Sequence, residues 1–209
     1  MSFEKLHKER KEFLMKHENE DHVVVVGEKD VLISVPHAVS QVRLGKYKVA
    51  EIGSLVLGRK LSQDGNTFLI CKTKNNNDDA NFDENSEYKN TIRRIINKHQ
   101  IKYIVDIHGM AAFRGCDVNL GTHLGKNTEN NKKLLKKLCN MLEKEGFSVC
   151  LDQPFMAGSQ TIAGSMKNEY PHLWTIQIEI NCAITNKKEN FFRFEKLTEI
   201  IKCWIEMIK

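Results

Sequence analysis

Short runs of β-branched and aliphatic residues alternate along this chain with longer segments in which apolar residues recur every three or four positions. Runs of the first kind are typical of buried strands, and segments of the second kind are typical of amphipathic helices. The predicted strands cover residues 22–26, 31–35, 67–72, 102–107, 117–120, 147–151 and 173–180. The predicted helices cover residues 3–17, 48–61, 86–99, 128–145 and 190–208. This alternation predicts an α/β fold of three layers, in which helices cover a mixed, largely parallel sheet.

The connections between these elements predict one domain. The tetrapeptide Gly-Glu-Lys-Asp at 27–30 is typical of a hairpin turn, so we expect an antiparallel pairing of the first two strands at one edge of the sheet. Residues 75–87 form a polar stretch that resembles a long loop. The sequence shows no domain linker and no internal repeat, and 209 residues are enough for one buried core. We therefore expect a single domain over residues 1–209.

Composition excludes several classes of protein. With 41% hydrophobic and 28% charged residues, the chain is too apolar for a disordered protein and too charged for a membrane protein. It has neither an apolar run long enough to span a bilayer nor a signal-peptide pattern, which predicts a cytoplasmic location. The six cysteines lack any C-x-x-C spacing and are expected to be reduced thiols. The lysines behind the net charge of +5 are dispersed, so nucleic-acid binding is not expected, although the basic pI keeps it as an alternative.

Polar residues stand where the strand predicted at 102–107 ends. Asp106 and His108 lie two positions apart, so they share one face of the strand. Burial of both groups without partners would be costly, which predicts a metal ion, mutual hydrogen bonding or water. Asp106 is a candidate for orienting a metal-binding His108. The alternative is a core histidine whose hydrogen bond is satisfied by an aspartate.

The last predicted strand shows the same pattern more strongly. Its alternation places Gln177, Glu179 and Asn181 on one face and isoleucines on the other. A buried carboxylate in such a strand is costly unless it lines a site, and perturbed acids collect at catalytic sites. The alternative is an exposed face on an edge strand.

A third element carries His37 just beyond the apolar strand that ends in Val35-Pro36. Glu51 follows 14 positions later, near enough for the chain to return it to the same rim. Alone, Glu51 would more often be a surface residue that favours the dipole of a helix. Two histidines and one carboxylate are a common ligand set for a catalytic zinc ion, and a further carboxylate could move protons.

These motifs occur in an order that resembles the N-formylglutamate amidohydrolase family, whose phosphorylase/hydrolase-like fold is similar to that of zinc carboxypeptidases. The resemblance rests on Ser-Val-Pro-His-Ala at 34–38, Glu51, Asp-Ile-His-Gly at 106–109, Asp-Val-Asn-Leu-Gly-Thr at 117–122 and Gln-Ile-Glu-Ile-Asn at 177–181. It spans roughly residues 31–182.

The resemblance implies one zinc ion per chain and a set of site residues. His37, Glu51 and His108 would bind the zinc, and Glu179 would act as general acid/base. Arg114 is a candidate for stabilising the oxyanion or a substrate carboxylate, with a surface role as the alternative. Asp106, Gln177, Asn181 and Thr161 are expected to support the metal ligands or to bind substrate.

The chain departs from the family at two places. Val39 stands where the family often has a glycine after the His-Ala pair. The chain also has Asp-Ala-Asn-Phe at 79–82 where the family has Asp-Leu-Asn-Arg, which leaves the substrate open. We therefore expect a metal-dependent amidohydrolase that acts on a small N-acyl or N-formyl amino acid or a short peptide, with neither a nucleic acid nor a membrane as partner. The alternative from another class is a non-catalytic metal-binding or ligand-binding domain that retains the fold.

Overall fold

The computed structural model describes residues 2–208, and its centre is a seven-stranded sheet. The strands are β1 (His22–Val25), β2 (Val31–Val35), β3 (Gln41–Arg43), β4 (Lys46–Lys48), β5 (Phe68–Lys72), β6 (Tyr103–Met110), β7 (Val118–Gly121), β8 (Val149–Leu151) and β9 (Trp174–Asn181). The helices are α1 (Phe3–Lys16), α2 (Ile52–Gly65), α3 (Glu87–His99), α4 (Lys132–Lys144), α5 (Ile162–Glu169), α6 (Cys182–Thr185) and α7 (Phe191–Glu206), with 3-10 turns at Lys126–Asn131 and Lys188–Asn190. Within residues 2–208, none of the helices combines the length and the apolar character needed to cross a bilayer.

The main sheet is mixed and mostly parallel. Its strands lie in the order β1-β5-β2-β6-β9-β7-β8, and the four central strands β5, β2, β6 and β9 are parallel to one another. Strand β1 is antiparallel to β5, and β7 is antiparallel to β9 and parallel to β8. The predicted fold class is therefore confirmed.

Helices cover both faces of this sheet. Side chains such as Ile33 and Ile178 pack with helices α1, α2, α4 and α7 on one face. Leu32 and Ile104 pack with α3 and α5 on the other face. Parallel strands that are buried on both faces are typically continuous apolar runs, as the first four residues of β5 are. Because strand residues alternate between faces, the polar residues at even positions of β6 and odd positions of β9 share the face of α3 and α5.

The predicted hairpin between β1 and β2 is wrong. Strand β5 lies between them, and both Val24 and Ser34 are paired with Ile70 of that strand. Residues 27–30 instead cross the end of β5, where the N–H groups of Glu28 and Lys29 donate to the carbonyl of Asn66. Gly27 is needed there for close approach, since a Cβ atom would lie 2.3 Å from the carbonyl carbon of Thr67.

The helix predicted at 48–61 begins later, at Ile52. Lys46–Lys48 forms a strand that pairs with Gln41–Arg43 in a separate two-stranded hairpin, β3–β4, which the sequence did not predict. Glu51 consequently precedes the helix as its N-terminal capping residue. Helix α5 was also not predicted, and the helix predicted at 128–145 opens with a 3-10 turn.

Candidate metal centre and active site

The polar strand ends meet at one edge of the sheet. Strands β2, β6 and β9 are parallel neighbours, so their carboxyl ends lie side by side, where open α/β sheets bind ligands. The register pairs His108 with Glu179 and Asp106 with Gln177. His37 lies two residues beyond the end of β2. The structure thus brings together the residues that the motifs predicted.

His37, Glu51 and His108 form a cluster that could hold a metal ion. Their ligand atoms all lie within 4.8 Å of one another. Glu51 is central, because its Oε1 atom lies 2.7 Å from His37 Nδ1 and its Oε2 atom lies 3.3 Å from His108 Nδ1. The two imidazole rings meet edge to face, with centroids 4.7 Å apart. One nitrogen of each ring therefore faces a shared carboxylate.

Backbone contacts fix the position of Glu51. Its N–H donates to the carbonyl of His37 at 2.9 Å, which joins the start of α2 to the end of β2. Its carboxylate accepts the N–H of Gly109 at 2.8 Å and makes no capping bond to its own helix. The side chain consequently faces the histidines instead of the helix N-terminus.

The remaining nitrogen of each histidine is held by a buried carboxylate. His37 Nε2 lies 2.8 Å from Asp79 Oδ1, and His108 Nε2 lies 3.1 Å from Asp106 Oδ2. Asp79 in turn accepts a hydrogen bond of 2.7 Å from Arg43 Nε. Carboxylates placed behind histidines in this way fix the ring orientation of metal ligands and raise their basicity. Asp79 was not predicted as a site residue, although it begins the Asp-Ala-Asn-Phe segment that stands where the family has Asp-Leu-Asn-Arg.

The balance of charge fits a divalent cation. Glu51, Asp79 and Asp106 bring three carboxylates into the buried cluster, and Arg43 supplies one positive charge. With neutral imidazoles, two negative charges remain, and buried charges require compensation. Burial alone would lower the pKa values of His37 and His108, but the neighbouring carboxylates outweigh this effect and raise both. A metal dication at the Nδ1 atoms would replace the protons that these raised pKa values favour.

Glu179 lies beside this cluster in a buried position. Burial, with a smaller contribution from Glu51, raises the pKa of the Glu179 carboxyl to about 7 against the opposing charge of His108. Gln177 orients the carboxyl group, because its Nε2 donates to Glu179 Oε1 at 2.7 Å. Gln177 Oε1 is buried and has no hydrogen-bond partner in the described part of the chain.

A cavity of about 1020 Å³ opens over the cluster. Residues from the predicted site that line it are His37, Glu51, His108, Arg114, Thr161, Gln177 and Glu179. Arg114 is half-buried, and its Cζ atom lies 5.3 Å from the centre of the Phe155 ring. Its guanidinium has no ion pair within residues 2–208. Arg114 is therefore free to pair with an anionic ligand.

Three predicted residues have local structural contacts. Asn181 lies outside the lining and donates from Nδ2 to the carbonyls of Cys116 and Arg114 at 3.1 and 3.3 Å, which anchors the loop that carries Arg114. Asp106 lies behind His108 and also does not line the cavity. Thr161 Oγ1 caps helix α5 by accepting the N–H of Gly164.

The β3–β4 hairpin adds lining residues that sequence reasoning missed. Gln41, Arg43, Tyr47 and Lys48 all border the cavity. No element was predicted at residues 41–47, and Lys48 was placed at the start of the helix predicted at 48–61.

The sequence profile of the N-formylglutamate amidohydrolase family matches residues 86–185, which contain His108, Arg114 and Glu179. This match supports hydrolysis of an amide bond. No sequence match was found among curated proteins.

Solved structures share the fold at low sequence identity. A gene product from Agrobacterium tumefaciens is 14% identical, with a TM-score of 0.67 over 96% of this chain and 99% of the other. N-formylglutamate amidohydrolase from Ralstonia eutropha is 13% identical, with a TM-score of 0.59 over 90% and 96% of the two chains. A bacteriophage poly-gamma-glutamate hydrolase is 15% identical, with a TM-score of 0.57 over 88% and 87%. Residues 86–185 thus match the N-formylglutamate amidohydrolase family, and the resemblance predicted from the motifs is confirmed.

Proposed function

We propose that this protein is a zinc-dependent amidohydrolase that cleaves the amide bond of a small N-acyl or N-formyl amino acid or peptide. The convergence of two Nδ1 atoms on Glu51, with a carboxylate behind each ring, is the observation that carries this proposal. Two histidines, one carboxylate and an open cavity match the donor set of catalytic zinc sites, which keep a position for water or substrate. When bound, zinc polarises the scissile carbonyl and lowers the pKa of water at the site.

Glu179 is suited to move the protons of this reaction. It accepts a proton from the attacking water and returns it to the nitrogen of the departing amine, because an amide anion leaves poorly. A carboxyl group whose pKa is about 7 exchanges protons readily at neutral pH. The hydrogen bond from Gln177 holds the carboxyl group in one orientation.

Arg114 supplies the positive charge that the substrate meets. Its guanidinium lines the cavity and has no protein carboxylate as partner among the described residues. Arginine binds carboxylates through two parallel hydrogen bonds, and it also stabilises an oxyanion. We assign Arg114 to one of these two anionic groups.

The test replaces Glu179 by glutamine. We expect the Glu179→Gln variant to bind zinc with the stoichiometry of the wild type while its kcat on N-formyl and N-acetyl amino acids falls by roughly 10²-fold or more. Glu143→Gln, which removes an exposed carboxylate on α4, is the matched control and should leave kcat unchanged. Retention of wild-type turnover by Glu179→Gln would contradict the proposed role.

A further inference from the structure

The β3–β4 hairpin presents a basic face to the cavity. Its register pairs Gln41 with Lys48 and Arg43 with Lys46, so these four side chains share one face. Three of them, Gln41, Arg43 and Lys48, line the cavity. Residues 38–50 contain three basic residues and no acidic residue. This face therefore places Arg43 and Lys48 at the cavity, with Lys46 beside them on the same face but outside the lining.

Two of these charges have no oppositely charged partner among the described residues. Arg43 is neutralised by Asp79, but Lys46 and Lys48 are exposed and form no ion pair within residues 2–208. Like charges placed opposite each other on paired strands are destabilising, so folding alone does not favour lysine opposite Arg43. The hairpin is nevertheless tight, because Leu44 and Gly45 both have positive φ values, 51° and 73°, as a two-residue turn requires. The turn thus fixes the register of the two strands, and with it which residues share the basic face.

Buried acceptors in the same cavity indicate a second property of the ligand. Gln41 is 5% exposed, and its Oε1 atom has no hydrogen-bond partner in the described structure. Gln177, which also lines the cavity, has a buried Oε1 atom without a hydrogen-bond partner in the described structure. A buried acceptor without a partner is costly, and a ligand that carries N–H groups would satisfy it. A peptide supplies N–H groups at regular intervals, whereas a free N-formyl amino acid supplies one.

The size of the cavity agrees with a longer ligand. Its volume of about 1020 Å³ lies at the upper end of the range for small-molecule sites, which is roughly 300 to 1,000 Å³. An N-formyl amino acid would fill only a small part of this space.

We propose that the β3–β4 hairpin is a specificity element that selects an extended acidic peptide, whose carboxylates pair with Lys46 and Lys48 and whose backbone N–H group donates to Gln41. This inference rests on the proposed function for the position of the scissile bond. The substrates would then be acidic peptides in preference to free N-acyl amino acids.

Binding of four probes to the Glu179→Gln protein tests this inference without turnover. The probes are N-formyl-Glu, N-formyl-(Glu)4, N-formyl-(Gln)4 and N-formyl-(Lys)4, measured by isothermal titration calorimetry. We expect N-formyl-(Glu)4 to bind about tenfold more tightly than N-formyl-(Gln)4, which has the same length without charge. The difference should shrink as the salt concentration rises from about 0.05 to about 0.5 M, because these charges are exposed to solvent.

A double substitution, Lys46→Gln with Lys48→Gln, should abolish most of the preference for N-formyl-(Glu)4 over N-formyl-(Gln)4. Lys132→Gln with Lys133→Gln removes two exposed charges outside the cavity and is the matched control. The inference would be overturned if the hairpin variant kept the same preference for N-formyl-(Glu)4. It would also be overturned if the Glu179→Gln protein bound the three tetrapeptides equally. Failure of the wild-type protein to cleave any amide would refute the proposed function instead, since these affinities do not depend on turnover.

Discussion

At the scale of single residues, the site depends on carboxylates that lie behind the predicted metal ligands. Asp79 and Asp106 are fully buried, and each holds the Nε2 atom of one histidine. The motif Asp-Ile-His predicted the role of Asp106, because alternation in a strand places the two residues on one face. The role of Asp79 could not be predicted, since a loop residue 42 positions from His37 reaches it only through the tertiary fold.

Replacement of Asp106 by asparagine should weaken zinc binding. The variant keeps the volume of the side chain but loses the charge that orients His108 and raises its basicity, so the dissociation constant for zinc should rise by about 10- to 100-fold. Competition with a chromophoric chelator measures this constant. Asp64→Asn, which alters a surface carboxylate away from the cavity, should leave it unchanged. Equal zinc affinities in the wild type and Asp106→Asn would show that Asp106 does not support a ligand.

At the scale of elements, the order of the strands was less predictable than their positions. Local sequence predicted the main-sheet strands and helices α1, α3 and α7 to within a few residues. It failed at residues 41–48, where it predicted no element before the helix at 48–61 and the structure has a hairpin outside the main sheet. It also failed at residues 27–30, because the turn pattern there does not reveal that β5 lies between β1 and β2 in the sheet.

A side chain at Gly109, near the end of β6, would crowd Glu51. A Cβ atom there would lie 3.3 Å from Glu51 Cβ and 3.5 Å from its Cγ, so Gly109→Ala should displace the carboxylate that faces both histidines. We expect zinc affinity to fall by at least about tenfold while the fold remains intact, as near- and far-ultraviolet circular dichroism would show. Gly115→Ala is the control, since a Cβ atom there meets nothing within 4 Å. Unchanged zinc affinity in Gly109→Ala would place Glu51 outside the metal site.

At the scale of the whole molecule, Asp117 joins three separate elements. Its carboxylate accepts two hydrogen bonds from Arg193 of α7, at 3.1 and 3.0 Å, and two from Ser148, just before β8. Burial alone would raise the pKa of Asp117, but the hydrogen bonds from Arg193 and Ser148 outweigh it and lower the pKa. A lowered pKa means that ionised Asp117 stabilises the folded state.

Stability should therefore depend on Asp117 in a defined range of pH. The contribution is fully present above the pKa of the unfolded chain, about 3.9, and is lost as the pH falls through the lower folded value. Asp117→Asn should reduce the free energy of unfolding by about 1 to 3 kcal/mol at pH 7, and by much less at about pH 2. Urea unfolding across this range measures the difference. Asp64→Asn, at the surface, should change the free energy of unfolding little at either pH. If Asp117→Asn lowered the free energy of unfolding as much in acid as at pH 7, ionised Asp117 would not be the source of the stability.

The metal content of the purified protein tests the central claim most directly. Elemental analysis should find one equivalent of zinc in the wild type, and substantially less in His37→Ala and His108→Ala, because each variant removes one ligand of the cluster with Glu51. A wild-type protein that contains no zinc, and that takes up none on dialysis against it, would contradict the assignment of this cluster as a zinc site.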